Sequence, residues 1–395
     1  MMNLSALDEK IDSLAVASRL AKRFADEAVE RDRRGGTPKL ERDLIRESQL
    51  LRLSIPKAWG GLGASWPEVY RTVRVISAVD GSLGQVYGFH HVLLATCFLF
   101  GSNWQAQRLL VDSALKNWFW GNALNPLDAR LSLIRGEGEI RLRGQKSYCT
   151  GAIDSDYLIV SAVEEGTGRL VVAAIPTGRA GITLNGDWEG MGQRLTDSGT
   201  ASFADVVLEE DEILGPPGPM GTPFASLRPC VAQLLFVNVY IGITEGALAA
   251  AGEYTRERTR AWPWSGVDKA SDDPYVLERF GNAWADLEAA RATADKAAEN
   301  LQVAWANPEQ VTPERRGRVA LEVATAKVLS SRAAVSVTSE MFEATGPGAT
   351  AARWGFDRFW RNARTLTLHD RLDYKVKELG QWALNGKVPT PSLYS

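Results

Sequence analysis

Fifteen residues near the end of the chain, FDRFWRNARTLTLHD at 356–370, bring together three aromatic rings, three arginines and a histidine. Imidazole has an ordinary pKa of about 6.5, so it donates, accepts or changes charge near neutral pH, and the whole chain has only three histidines. His369 is thus the residue of this stretch able to exchange a proton near neutral pH. Its neighbours are explained by packing: Phe356, Phe359 and Trp360 fall at helical steps as a core face, and Arg358, Arg361 and Arg364 as a solvated or ion-paired one. His90 and His91 precede an apolar run and read as core or cap residues. GQRLTDSGT at 192–200 reads as a polar loop between strands.

Other chemistries lack their signatures. No GxGxxG follows an expected strand and no GxxxxGK[ST] occurs, so a nicotinamide or nucleoside triphosphate site has no sequence support. HExxH and GxSxG are missing too, which removes the best signs of a metalloenzyme or a serine hydrolase, and no metal is expected. Forty-five basic against 48 acidic residues leave a net charge of −3, without the excess that would track nucleic acid. Three cysteines, widely spaced and without CxxC, point to a reducing cytoplasm. The N-terminus has no continuous apolar core of a signal, and the run at 90–101 is shorter than a spanning helix of about 20 residues, so no membrane is expected.

Three blocks must position these residues. Apolar steps of three and four predict helices over 6–29, 39–51 and 67–80, the last started by Ser65, Pro67 and Glu68, so that 1–116 forms an N-terminal helical domain. Between 117 and 224 short β-rich runs at 139–148, 157–165, 169–177, 181–186 and 201–211 alternate with turns too closely for crossover helices, predicting an antiparallel sandwich or barrel. From 225 to 395 long periodic segments at 231–260, 274–305 and 312–344, with a shorter one at 374–383, predict a C-terminal four-helix bundle. The fold class is α+β.

The ordered motifs VDGSLG at 79–84, LRGQKSYCTGA at 142–152, GQRLTDSGT, FADVVL and FDRFWRN resemble the acyl-CoA dehydrogenase superfamily over nearly the whole chain. AVERDRRGG, WGGLGASWP, AIPTGRAGITLNGDW, TDSGT and LHD are similar to its two-component flavin monooxygenases of bacterial sulfur metabolism. That resemblance implies FMN, delivered as FMNH2 by a separate NAD(P)H-dependent reductase, O2 as co-substrate, a flavin C4a-(hydro)peroxide and a homotetramer. It places His369, Thr150, Asn122 and Ser198 at the reacting edge of the flavin, and Phe89 and Lys146 among the cofactor contacts. Arg260 in ERTRAW and the turn with Pro347 and Gly348 would hold the phosphate, with Arg260 reaching across a subunit boundary.

Two departures carry information. Where acyl-CoA dehydrogenases have a catalytic glutamate, this chain reads His369-Asp370-Arg371-Leu372, so the base for acyl-CoA oxidation is not in place. Where dibenzothiophene monooxygenases carry a histidine and a tyrosine after the VDGSLG-type motif, this chain has Gln85 and Phe89. The resemblance then implies a small organosulfur substrate, methanesulfinate first.

Overall fold

The computed structural model describes residues 11–136 and 138–395. Six helices come first: α1 (Ser13–Ala25), α2 (Ala28–Arg34), α3 (Lys39–Glu47), α4 (Trp66–Ser77), α5 (Gly81–Phe100) and α6 (Asn103–Lys116). The helix expected over 6–29 begins instead at Ser13, capped by Asp12, and breaks before α2; its expected start at Ala6 lies outside the described residues. Ser65 caps α4 through the Glu68 N–H, but Glu68 turns its carboxylate to the Ser13 hydroxyl at 2.5 Å and ties α4 to α1. In VDGSLG, Asp80 accepts the Ser82 and Leu83 N–H groups to start α5. Its other carboxylate oxygen takes the buried Arg31, which also pairs with Glu41 at 3.1 Å. The motif is therefore an anchor that fixes where α5 begins.

Seven strands follow: β1 (Trp120–Ala123), β2 (Leu131–Arg135), β3 (Ile140–Lys146), β4 (Tyr157–Glu164), β5 (Leu170–Pro176), β6 (Ile182–Leu184) and β7 (Ala201–Leu208). They form one sheet in the order β1-β4-β2-β3-β7-β6, with β5 along the other edge of β4. The sheet is mixed, correcting the antiparallel expectation: β1 and β2 both run parallel to β4, each beside one half of it. No crossover helix is needed, because the β2–β3 hairpin is itself the connection that returns the chain to β4.

The C-terminal part is helical again: α7 (Arg228–Glu257), α8 (Pro274–Ala306), α9 (Pro313–Thr345), α10 (Asp357–Leu366) and α11 (Leu372–Asn385). Asp273 caps α8 and Thr312 caps α9, each followed by proline in the first turn. α8 and α9 pair with each other and with α7, while α10 and α11 pack on α9. Only α7, α8 and α9 of the bundle are long. One apolar core runs through the helices of both ends of the chain, and a second fills the sheet. A third joins α5 to the sheet through Leu93, Trp120, Ile159 and Val172. Among the described residues two helices reach membrane-spanning length and apolarity, but their windows are 94% and 72% buried, as core helices of this fold.

His90 locks that joint. Its Nδ1 accepts the Trp120 N–H at 3.2 Å and its Nε2 donates to the Leu51 carbonyl at 2.6 Å, which fixes the neutral tautomer. Burial pushes its pKa down to about 3, and His91 beside it is lowered by the same cause. Both match the structural reading.

Candidate active site

A cavity of about 170 Å³ lies where α5, the sheet loops, α7, the α10–α11 turn and the chain's last residues meet. One ordered water needs roughly 10–15 Å³, so this space admits a molecule of several atoms. Five of the nominated residues, Phe89, Asn122, Thr150, Ser198 and His369, each from a separate part of the sequence, line it.

The hydroxyls form a chain. Thr150 Oγ1 and Ser198 Oγ lie 2.8 Å apart, Ser198 and Thr196 hydroxyls 2.7 Å, and Thr196 donates to the Gln193 carbonyl at 2.9 Å. Backbone bonds hold the two loops in register: the Asn122 N–H donates to the Thr150 carbonyl and the Gly151 N–H to that of Thr196. Asn122 sits on β1, its side chain accepting from Leu124 N–H and donating to the Tyr148 carbonyl. Gln193 is clamped by Ser82, Gly81 and Asn362, which carries the loop onto both α5 and α10.

His369 stands in the turn after α10, its ring 4.3 Å from Phe236 and its Nδ1 3.3 Å from Asp370. Its side chain keeps 36% of its surface exposed, so a ligand can reach it. Burial lowers its pKa, Lys327 adds to the effect and the Asp370 carboxylate opposes it. The imidazole is therefore neutral at neutral pH, whereas the sequence alone suggested titration near 6.5. Asp370 is engaged by the Lys327 ammonium and by Gln233, not aimed into the cavity. Burial opposes its ionisation, but His369 and Lys327 hold its pKa well below the usual range. Burial in turn pulls Lys327 down to about 8, against the pull of Asp370.

The other nominations fall elsewhere. Lys146 is buried, 1% exposed, and its ammonium donates to the Asn125 and Asp128 carbonyls at 2.7 and 2.6 Å. It fixes the loop that brings Asn125 and Pro126 to the cavity and does not itself line it. Arg260, Pro347 and Gly348 are exposed and outside the cavity of this protomer. Thr259 donates to the Thr345 carbonyl at 3.1 Å, so Arg260 and the turn at 346–350 share one patch.

Gln85, singled out with Phe89 by the comparison of motifs, lines the wall too, whereas sequence reasoning missed Trp188, Gln193, Arg228, Gln233, Phe236 and Tyr394. Arg228 had a signal: it heads the apolar run PCVAQLLFVNVYIGIT, in which no other charge appears. The remaining five carry none, because an uncharged or aromatic side chain on a helix or in a loop looks the same whether it faces core or cavity.

Family models match both helical ends of the chain: the acyl-CoA dehydrogenase N-terminal domain over residues 13–115 and the C-terminal domain over residues 234–374. A probable FMNH2-dependent monooxygenase, SfnC of Pseudomonas putida, is 50% identical over 384 residues, covering 97% of each chain. The solved structure of methanesulfinate monooxygenase MsuC from Pseudomonas fluorescens superimposes with a TM-score of 0.96 at 51% identity, covering 98% of this chain and 100% of that one. FMN-bound TdsC from Paenibacillus sp. A11-2, a dibenzothiophene monooxygenase, gives 0.93 at 44% identity, covering 98% and 100%. The chain belongs to the acyl-CoA dehydrogenase family. Within it, the chain falls in the branch of two-component, flavin-dependent monooxygenases.

Proposed function

We propose that the protein is the oxygenase component of such a pair: it takes FMNH2 from a separate NAD(P)H-dependent reductase and transfers one atom of O2 to a small organosulfur compound. Methanesulfinate is the preferred substrate, giving methanesulfonate, FMN and water. The observation that carries this reading is the convergence of Asn122, Thr150, Ser198 and neutral His369 on one cavity whose wall, among the described residues, holds no carboxylate. The carboxylate base of acyl-CoA oxidation is therefore lacking there, and polar groups suited to an oxygen-transfer site are present.

The residues fit a flavin. Phe89, Trp188 and Phe236 offer apolar faces to a flat ring. Gln85 Oε1 is buried and accepts no hydrogen bond, so it is available to a ligand N–H. FMN, when bound, supplies the activation of O2. Because Thr196 donates to the Gln193 carbonyl, Ser198 donates to Thr196 and Thr150 to Ser198, so Thr150 donates to a ligand oxygen by turning its proton away from Ser198. Asn122 is held in place by its bonds to Leu124 and Tyr148. Neutral His369 gives its one ring N–H, at Nδ1, to the Asp370 carboxylate, which leaves Nε2 as an acceptor for a ligand proton and adds no charge to the site. Arg260 with Pro347 and Gly348 holds the FMN phosphate of a neighbouring subunit in a homotetramer. Lys146 acts as a positioning residue. The reaction belongs in the cytoplasm, where reduced nicotinamide feeds the reductase.

The test is a coupled assay with a flavin reductase, NADH, FMN and a panel of sulfinates, sulfones and thiophenes under 18O2. Methanesulfonate carrying one labelled oxygen is the expected product. NADH consumption that yields only H2O2 with every sulfur compound sinks the reading.

A further inference from the structure

The cavity wall contains a single formally charged side chain, Arg228 at the first position of α7. It is 7% exposed, and among the described residues its one hydrogen bond runs from Nε to the Thr96 hydroxyl at 3.2 Å. Of the other buried arginines, Arg31 pairs with Asp80 and Glu41, Arg42 with Asp154 and Asp197, and Arg74 with Asp295, while Arg316 is held by Ser226 and Ser395 and Arg52 by Gln49. Among the described residues Arg228 pairs with no carboxylate, and it alone of these arginines lines the cavity with its terminal guanidinium nitrogens unbonded. Asp370 behind the wall is engaged by Lys327, so it does not neutralise the cavity. Burying a guanidinium without a counter-charge is costly, and the cost is recovered only when an anion arrives.

We propose that Arg228 is the specificity determinant of this cavity, its free guanidinium N–H groups holding the oxygens of a small sulfur oxoanion. The inference rests on the oxygenase reading above and deepens it by naming the substrate's charge. A sulfinate spreads one negative charge over two oxygens, which a guanidinium fork grips with two parallel hydrogen bonds. Held so, its sulfur lone pair stays free to accept the incoming oxygen, and Ala232, Phe236, Leu366 and Leu393 supply apolar wall for the methyl group. Burial pulls the Arg228 pKa down to about 10, which leaves it charged at neutral pH. A neutral thiophene or sulfide would leave the cation unpaired, so the same residue selects against such molecules.

Calorimetric titration of the full-length protein, with and without oxidised FMN, tests the proposal using two unreactive probes of similar size, anionic methanesulfonate and neutral dimethyl sulfone. The parent should bind the anion at least roughly tenfold more tightly than the neutral sulfone. Arg228→Met should abolish that preference, Arg228→Lys should keep part of it, and FMN affinity should stay within about twofold in both. A Met variant that keeps the preference, or one that loses FMN affinity while keeping it, overturns the assignment. If Arg228→Met does not fold, the parent's own comparison decides, and no preference for the anion overturns it. Anion preference without oxygenated product leaves this site standing and sinks the oxygenase reading. Oxygenation of neutral sulfides without anion preference does the reverse.

Discussion

At the scale of the residue, His369 shows how surroundings assign a role that composition leaves open. Its pKa is lowered chiefly by burial, so the folded protein releases this proton more readily than the unfolded chain does. Between the ordinary value of about 6.5 and the lowered one, the unfolded state binds more protons, and stability falls as pH falls through that window. His90 and His91 have the same sign and are fully enclosed, so acid destabilisation is dominated by them and not by the cavity. His369→Asn keeps a donor and loses the titration. We expect it to melt like the parent between pH 7 and pH 5, to lose at least roughly tenfold in coupled oxygenation, about 1.4 kcal/mol, and to lose the acid limb of the rate profile below about 6.5. Unchanged turnover with an unchanged profile would return His369 to a packing role. The sequence marked this histidine through the company it keeps, but its neutrality comes chiefly from burial, with Lys327 on α9 adding to it, and no local pattern reveals either.

Elements were legible where a start signal and a period coincide. Ser65, Asp273-Pro274 and Thr312-Pro313 begin α4, α8 and α9 as their types require, and β3 to β7 alternate or run apolar between turns. β1 and β2 escaped, although Asn122 stands on β1: four and five residues carry too little pattern even beside Asn125-Pro126 and Gly136, and strand direction is decided by distant partners. Close packing of α7 on the end of α4 is likewise invisible in sequence. A Cβ at Gly246 would lie 1.8 Å from the Ala78 carbonyl oxygen, whereas one at Gly281 on α8 would meet nothing within 4 Å. Gly246→Ala should therefore cost about 1–3 kcal/mol by denaturant titration, and Gly281→Ala should add about 0.4–1 kcal/mol. Equal effects at the two sites would contradict the described contact between α4 and α7.

For the whole molecule, Arg260 decides whether one chain suffices. It is exposed and outside its own cavity, and it adjoins Trp262 and Trp264, which are 63% and 83% exposed. Aromatic rings so open to water beside an arginine have the composition of an interface core, which supports the homotetramer proposed above. Arg260→Ala should weaken FMN binding by roughly 1.5–3 kcal/mol while the cavity residues stay intact. Light scattering should give an assembly of about four times the 43.2 kDa chain. Unchanged FMN affinity would remove Arg260 from the cofactor site. The cavity itself imposes an order in time. Its wall takes Gln85 from α5, Asn122 from β1 and Leu393 and Tyr394 from beyond α11, so loop closure across most of the chain precedes its completion. A nascent polypeptide that has not yet reached Leu393 and Tyr394 lacks that part of the wall, so the cavity is completed only after those residues are made and folded into place.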